Sequence, residues 1–188
     1  MRMKRALGAL AIVLLAAACG QTPSMGDKAP PTTAAAQGTT TTAGQATTTG
    51  TAAAQVPEKL AFTAQTVSGG QFEGKSLLGK PAVLWFWAPW CPKCQREAAG
   101  IASAAQRNGG VTFLGVAAND TVEAMRGFID ERGVGGFEHL ADTDAEIWRH
   151  FGVAAQPAYA FVSSKGEVEV VTQQLAEDEL AAKVAALS

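Results

Sequence analysis

Two cysteines separated by two residues carry the clearest chemical signal in the sequence. Cys91 and Cys94 enclose Pro92 and Lys93, with an apolar run at residues 82–87 before them and helix-forming residues after them. A cysteine at the start of a helix faces unpaired backbone N–H groups and the positive end of the helix dipole, which favour a thiolate. Cys94 follows one helical turn later, within reach of Cys91. The pattern therefore predicts a reversible disulfide with a reactive Cys91 thiol.

A zinc site and a structural staple are the alternative interpretations of this cysteine pair. Zinc would need two further ligands, and the two histidines of the chain, His139 and His150, are 11 positions apart rather than closely paired. A bridge that closes only a few residues constrains the unfolded chain very little, so it is a poor staple. Redox chemistry is the preferred interpretation. We expect no metal and no cofactor at the site.

The elements that must position the pair follow from hydrophobic periodicity. Residues 82–87 and 111–117 are continuous apolar runs, as expected for strands buried on both faces. A helical pattern follows each run, at residues 92–107 and 121–132. Shorter elements are predicted as strands at 60–67, 71–73, 137–141, 158–162 and 168–171 and as helices at 144–151 and 175–187. We expect an α/β fold with a central mixed β-sheet flanked by helices and an N-terminal β-hairpin.

The charge balance excludes a basic nucleic-acid-binding domain. The chain has 188 residues, of which 47% are hydrophobic and 17% charged, with a formal net charge of −2. Residues 56–188 hold 11 Lys and Arg against 16 Asp and Glu, a net charge of −5. This excess of acidic residues favours solubility and disfavours a polyanionic partner. The same residues are numerous enough to bury one ordinary core.

The first 55 residues are predicted to export and tether this domain. Residues 1–18 carry three basic residues and then an apolar run, as in a secretory signal, and the run is too short to span a membrane comfortably. Residues 19–55 are rich in Thr, Ala and Gly, so we expect a disordered tether. The signal resembles that of bacterial lipoproteins, which implies a lipid on Cys19. The alternative is an ordinary secretory signal cleaved near Ala18. Both place residues 56–188 outside the cytoplasm.

The active-site stretch resembles the thioredoxin superfamily. Residues 87–94 read WAPWCPKC, which matches the WCxxC site of that family, and Gln156-Pro157 matches its proline loop. The chain is most similar to the exported TlpA/ResA and Dsb-type proteins, including single-domain Dsb-like proteins of actinobacteria, with further support from residues 76–81, 121–132 and 142–144. The resemblance spans nearly all of residues 57–188. It implies a thioredoxin-like fold with an inserted helix at 121–132 and a cis peptide bond between Gln156 and Pro157.

The same resemblance implies roles for residues around the cysteine pair. Gln156 and Pro157 would present backbone to a substrate, and Trp90 and Pro92 would contact the partner protein. Glu97, three residues after Cys94, matches a glutamate of ResA-like proteins and would exchange a proton with the resolving cysteine. The alternative for Glu97 is an exposed carboxylate paired with Lys93 or Arg96. Trp85 stands where cytoplasmic thioredoxins carry a buried Asp, and this is a departure from general thioredoxins.

The implied activity is that of a thiol–disulfide oxidoreductase cycling between dithiol and disulfide at Cys91 and Cys94. We expect exported proteins as substrates, a membrane redox partner and a monomeric chain. Oxidative folding is favoured over disulfide reduction in cytochrome c maturation. A peroxiredoxin is disfavoured because Pro89-Trp90-Cys91 lacks the threonine of that class. A non-enzymatic binding lipoprotein is the remaining alternative. The two histidines, His139 and His150, are predicted to be surface or capping residues rather than catalysts.

Overall fold

The computed structural model describes residues 56–187. The predicted signal, the predicted tether and Cys19 lie outside these residues. Within them, no helix is long and apolar enough to cross a membrane. The elements in chain order are β1 (Thr63–Gln65), β2 (Gln71–Glu73), β3 (Ala82–Trp87), α1 (Pro92–Arg107), β4 (Thr112–Ala118), α2 (Val122–Arg132), β5 (Glu138–Asp142), α3 (Glu146–Phe151), β6 (Ala158–Val162), β7 (Val168–Val171) and α4 (Glu177–Ala185).

The strands form a short hairpin and a mixed five-stranded sheet. β1 and β2 pair antiparallel, and the larger sheet has the order β5-β4-β3-β6-β7. β3, β4 and β5 run parallel to one another, whereas β6 and β7 are antiparallel to their neighbours. Parallel neighbours require helical crossovers, which α1 and α2 provide. The mixed sheet and the N-terminal hairpin predicted from the sequence are confirmed.

The central strand β3 is buried at every residue. Its side chains alternate between two cores because successive residues of a strand point to opposite faces. Val83, Trp85 and Trp87 belong to the core that includes residues of α1, α2 and α4. Leu84 and Phe86 belong to the core that includes residues of α3 and the N-terminal segment. The continuous apolar run therefore reflects a sheet covered on both faces.

α3 begins later than the sequence pattern predicts. The carboxylate of Asp142, at the end of β5, accepts the backbone N–H groups of Ile147 at 3.1 Å and Trp148 at 2.9 Å. Ala145, between them in sequence, has a left-handed backbone with φ of 55°. Because a side chain from the preceding strand satisfies the first helical N–H groups, the helix starts at Glu146 rather than at residue 144. The first strand is also shorter than predicted.

Gly115 lies in the middle of β4, where a side chain would not fit. It pairs with Trp85 on β3 and with His139 on β5. A Cβ atom at this position would lie 2.8 Å from Nε1 of Trp87 and 2.7 Å from a ring carbon of His139. These distances are shorter than packed atoms adopt. The glycine therefore leaves room for His139 to reach across β4 to Trp87.

We expect Gly115→Ala to lower the free energy of unfolding by about 1–3 kcal/mol, because the added methyl group overpacks the core between His139 and Trp87. Gly127→Ala is the matched control, since Gly127 lies within α2 and an added Cβ meets nothing within 4 Å. There we expect a gain of about 0.5–1 kcal/mol. Urea unfolding of the purified variants measures both changes. An unchanged unfolding midpoint for Gly115→Ala would contradict the packing described here.

Candidate active site

The cysteine pair lies at the start of α1, after a short turn that follows β3. Cys91 is the N-cap residue of α1, and its Sγ accepts the backbone N–H of Cys94 at 3.1 Å. A sulfur in this position faces the positive end of the helix dipole, which stabilises a thiolate. The two cysteines form a disulfide with their Cα atoms 5.3 Å apart. The predicted disulfide at a helix N-terminus is confirmed.

The two cysteines are both buried, but not equally. Cys91 is 3% exposed and Cys94 is fully buried, so only Cys91 retains accessible surface. The rim beside Cys91 is open, because Trp90 is 54% exposed and Pro92, the first residue of α1, is also exposed. The indole N–H of Trp90 donates to the carbonyl of Asn119 at 3.2 Å. A partner protein can thus approach Cys91 over an apolar rim.

The strand register places the Gln156-Pro157 loop at the same end of the sheet as the cysteine turn. β6 begins at Ala158, which pairs with Phe86 of the antiparallel strand β3. Pro157 therefore lies level with Trp87, the last residue of β3. The peptide bond between Gln156 and Pro157 is cis, as the family resemblance implies. Pro157 is buried, whereas Gln156 is half-buried.

Glu97 lies three residues after Cys94 on α1 and is half-buried. The indole N–H of Trp85 donates to its Oε1 at 2.7 Å. Its Oε2 is buried and accepts no hydrogen bond of normal geometry from the described residues. Burial raises the pKa of Glu97, and the hydrogen bond from Trp85, together with the nearby Tyr159 and Gln174 side chains, opposes part of that rise.

Tyr159 shares these surroundings, because it pairs with Trp85 across β3 and β6. Burial and the neighbouring Glu97 carboxylate raise the pKa of the Tyr159 phenol, which stays protonated. In residues 56–187, no ion pair joins Glu97 to Lys93 or Arg96, so the alternative of an exposed, paired Glu97 has no support. The arrangement can hold a proton one helical turn from Cys94.

His139 is not the surface or capping residue that the sequence predicts, and that prediction is wrong. It is 2% exposed. The indole N–H of Trp87 donates to its Nδ1 at 3.3 Å, and its Nε2 lies 2.9 Å from the carbonyl oxygen of Val134. Burial lowers the pKa of His139, and the neutral tautomer with a proton on Nε2 satisfies both contacts. The available signal was alternation, which places His139 on the same strand face as Phe137 and Ala141.

The histidines do not come together with the cysteines as a metal site. Between residues 56 and 187, no group of three or more His, Cys, Asp or Glu side chains is placed to hold a metal ion. His150 lies on α3, with its ring near those of Phe62 and Phe151. The zinc interpretation of the cysteine pair therefore lacks a ligand set in this part of the chain.

Comparison with known proteins agrees with this geometry. A model of the AhpC/TSA family matches residues 53–171, more than half of the chain. The soluble secreted antigen MPT53 of Mycobacterium tuberculosis is 45% identical over 134 residues, which cover 70% of this chain and 77% of that protein. The structure of MTB dsbF in its mixed oxidised and reduced forms has 52% identity and a TM-score of 0.70, covering 71% of this chain and 100% of that one.

A second solved structure belongs to a secreted Mycobacterium tuberculosis disulfide oxidoreductase homologous to E. coli DsbE. It has 44% identity and a TM-score of 0.66, covering 69% of this chain and 98% of that one. These similarities confirm the predicted thioredoxin-like fold and the resemblance to Dsb-type proteins. The chain therefore belongs to the AhpC/TSA family of the thioredoxin superfamily, and its relatives include Dsb-type thiol–disulfide oxidoreductases.

Proposed function

We propose that this protein is an exported thiol–disulfide oxidoreductase that exchanges disulfides with protein substrates through Cys91 and Cys94. The observation that carries the proposal is the position of Cys91, which caps α1 and is the residue of the pair that keeps some accessible surface. A thiol stabilised as thiolate is both a good nucleophile and a good leaving group. The similar protein dsbF was solved in mixed oxidised and reduced forms, which supports a reversible disulfide in this chain as well.

The cycle requires two thiol–disulfide exchanges. In the oxidising direction, a substrate thiolate attacks Sγ of Cys91, and the new bond forms as the Cys91–Cys94 bond breaks. The electron pair leaves on the sulfur of Cys94, which takes up a proton. A second substrate thiolate attacks the substrate sulfur of this mixed disulfide and releases Cys91 as a thiolate. The substrate loses two electrons and the cysteine pair gains them; the reverse sequence reduces a substrate disulfide.

We propose oxidation of exported proteins as the physiological direction, with a membrane electron acceptor as the redox partner. Interactions that stabilise the Cys91 thiolate stabilise the reduced form of the pair. The disulfide form is then the stronger oxidant, because its reduction becomes more favourable. The N-cap position and the N–H of Cys94 act in this sense. Reduction in cytochrome c maturation is the second candidate. The half-buried Glu97 favours it, because a carboxylate near the pair opposes thiolate formation.

The reduction potential decides between the two directions. We expect a value above about −180 mV, measured by equilibrating the Cys19→Ser protein in glutathione buffers and alkylating its free thiols. A value below about −250 mV would assign the protein to the reductases.

Replacing both Cys91 and Cys94 by Ser should abolish exchange while the fold is retained. A cellular function that survives the loss of both cysteines would indicate a binding module instead.

Four residues at the same end of the sheet are proposed to contact the substrate. Trp90 and Pro92 flank Cys91 and are exposed, which suits an apolar contact with a partner protein. Gln156 and Pro157 precede β6 at the end of the sheet where the cysteine turn follows β3. Backbone at the end of a strand can pair with an extended substrate segment, as in β-augmentation.

We also propose that Glu97 exchanges a proton with Cys94 during the cycle. Its carboxyl group follows Cys94 by one helical turn, and its buried Oε2 has no hydrogen-bond partner among the described residues. Burial raises its pKa and so brings proton uptake and release closer to neutral pH. Departure of Cys94 as a thiolate would then be coupled to proton transfer from Glu97.

Glu97→Gln keeps an acceptor for Trp85 and removes the titration. The folded-state pKa of Glu97 lies above the ordinary 4.5, so the folded protein keeps this proton to a higher pH than the unfolded chain does. The free energy of unfolding therefore falls as pH rises from the unfolded-state pKa to the folded-state pKa. We expect the Gln variant to lack this decline and, above the folded-state pKa, to be more stable than the wild type. Urea unfolding at several pH values measures both. The exchange rate should lose its inflection in the same interval. Glu131→Gln, on the exposed face of α2, is the control; a difference independent of pH would count against the assignment.

We propose that the protein is held on the outer face of the cell membrane by a lipid on Cys19. Support comes from the signal-like pattern of residues 1–18 and from the tether composition of residues 19–55. The similarity to a soluble secreted antigen supports export. A lipid anchor and a long flexible tether would keep the domain near a membrane redox partner while it samples substrates.

Cys19→Ser is expected to abolish lipid attachment and so to deplete the protein from the membrane fraction of an expressing bacterium. Cell fractionation followed by immunoblotting measures the distribution. Cys91→Ser, which leaves the signal unchanged, should fractionate like the wild type. A Cys19→Ser protein that distributes as the wild type does would refute the anchor and leave an ordinary signal cleaved near Ala18.

A further inference from the structure

Residues on three neighbouring strands form a buried polar unit behind the cysteine pair. The ring of His139 on β5 lies over Gly115 on β4 and accepts the indole N–H of Trp87 on β3. Its other nitrogen, Nε2, lies 2.9 Å from the carbonyl oxygen of Val134. His139 is 2% exposed and Trp87 is fully buried. An unpaired polar group would be costly at this depth, so the indole and the imidazole depend on each other.

Trp87 lies close in sequence to the redox centre and shares its buried cluster. It is the last residue of β3, and the next residue, Ala88, accepts the backbone N–H of Cys91 at 3.1 Å. The indole belongs to the same buried cluster as Cys91 and Cys94. It stacks on Phe128 of α2 with ring centroids 4.2 Å apart. Because close-packed interiors transmit strain, rotation of this indole would disturb the cluster in which Cys94 is buried.

We propose that His139 is a positioning residue for the Cys91–Cys94 centre, acting through the indole of Trp87. The inference rests on the proposed thiol–disulfide exchange. The imidazole fixes the orientation of the indole, and the indole helps to keep Cys94 covered while Cys91 keeps its small accessible surface. His139 itself contacts no substrate. Its contribution is to preserve the difference in access between the two sulfurs.

The role requires the neutral imidazole. A proton on Nδ1 would face the indole N–H with a second donor, and the hydrogen bond between the rings would be lost. The charged groups around His139 are Glu138 and Arg126 of α2, and both line a groove of about 480 Å³ together with His139. The carboxylate of Glu138 accepts the backbone N–H of His139 at 3.2 Å. Cys91 and Cys94 are the further titratable groups nearby, because they belong to the same buried cluster as Trp87. Burial lowers the pKa of His139 and preserves the neutral form.

Alkylation of the reduced protein tests the proposal without relying on exchange activity. In the Cys19→Ser protein, iodoacetamide modification of Cys94 and of Cys91 is followed over time by mass spectrometry. His139→Leu removes the acceptor, and we expect the rate ratio of Cys94 to Cys91 to rise about fivefold, as for the loss of one net hydrogen bond. His139→Asn places a carbonyl oxygen near the Nδ1 position and should restore the wild-type ratio.

A matched control separates positioning from a general loss of stability. Trp148→Phe also removes a buried indole N–H, which donates to the carbonyl of Val116 at 3.0 Å in the other core. If this variant raises the ratio as much as His139→Leu does, or if His139→Leu leaves it unchanged, the proposal is wrong.

Acidification provides a second readout. The wild-type ratio should increase as His139 is protonated, and the His139→Asn ratio should not; an identical pH profile for both proteins would overturn the proposal. A wild-type protein without exchange activity that still shows these alkylation ratios would refute the proposed function and support the control of Cys94 by His139.

Discussion

The chemistry of this protein depends on a strand that is buried on both faces. β3 contributes to both cores, and its last residue is separated from Cys91 by only three residues. Because the strand is held by neighbours on each side and by helices above and below, the turn that follows it is fixed in space. α1 can therefore begin at one defined point, where the backbone N–H of Cys94 donates to the sulfur of Cys91. A looser strand would leave the thiol without this electrostatic support.

Local features of the site could be predicted because their causes are local. An apolar run, a proline in the first helical turn and two cysteines one turn apart define the strand, the helix start and the disulfide within a single stretch of sequence. The mixed sheet followed from alternating strands and helices with a final hairpin. The start of α3 could not be read in this way, because it depends on the Asp142 carboxylate at the end of the preceding strand.

The polar contacts of the site were harder to predict because they depend on strand register. His139 meets Trp87 only because β5 pairs with β4 so that His139 lies opposite Gly115, and because that residue has no side chain. Glu97 was identified by its helical spacing from Cys94, but its partner Trp85 comes from β3. A sequence pattern gives the face of each element, whereas the partner across elements is set by their alignment.

The two tryptophans of β3 join these contacts into one system. Trp85 and Trp87 stack with ring centroids 5.6 Å apart, and each indole N–H binds a titratable group, Glu97 from α1 and His139 from β5. Burial raises the pKa of the carboxyl group and lowers that of the imidazole, so both shifts favour the uncharged form. Neither group supplies a positive charge behind the pair, so stabilisation of a thiolate depends on the N-terminus of α1 and the N–H of Cys94. This support acts on Cys91, which is also the cysteine of the pair that keeps accessible surface.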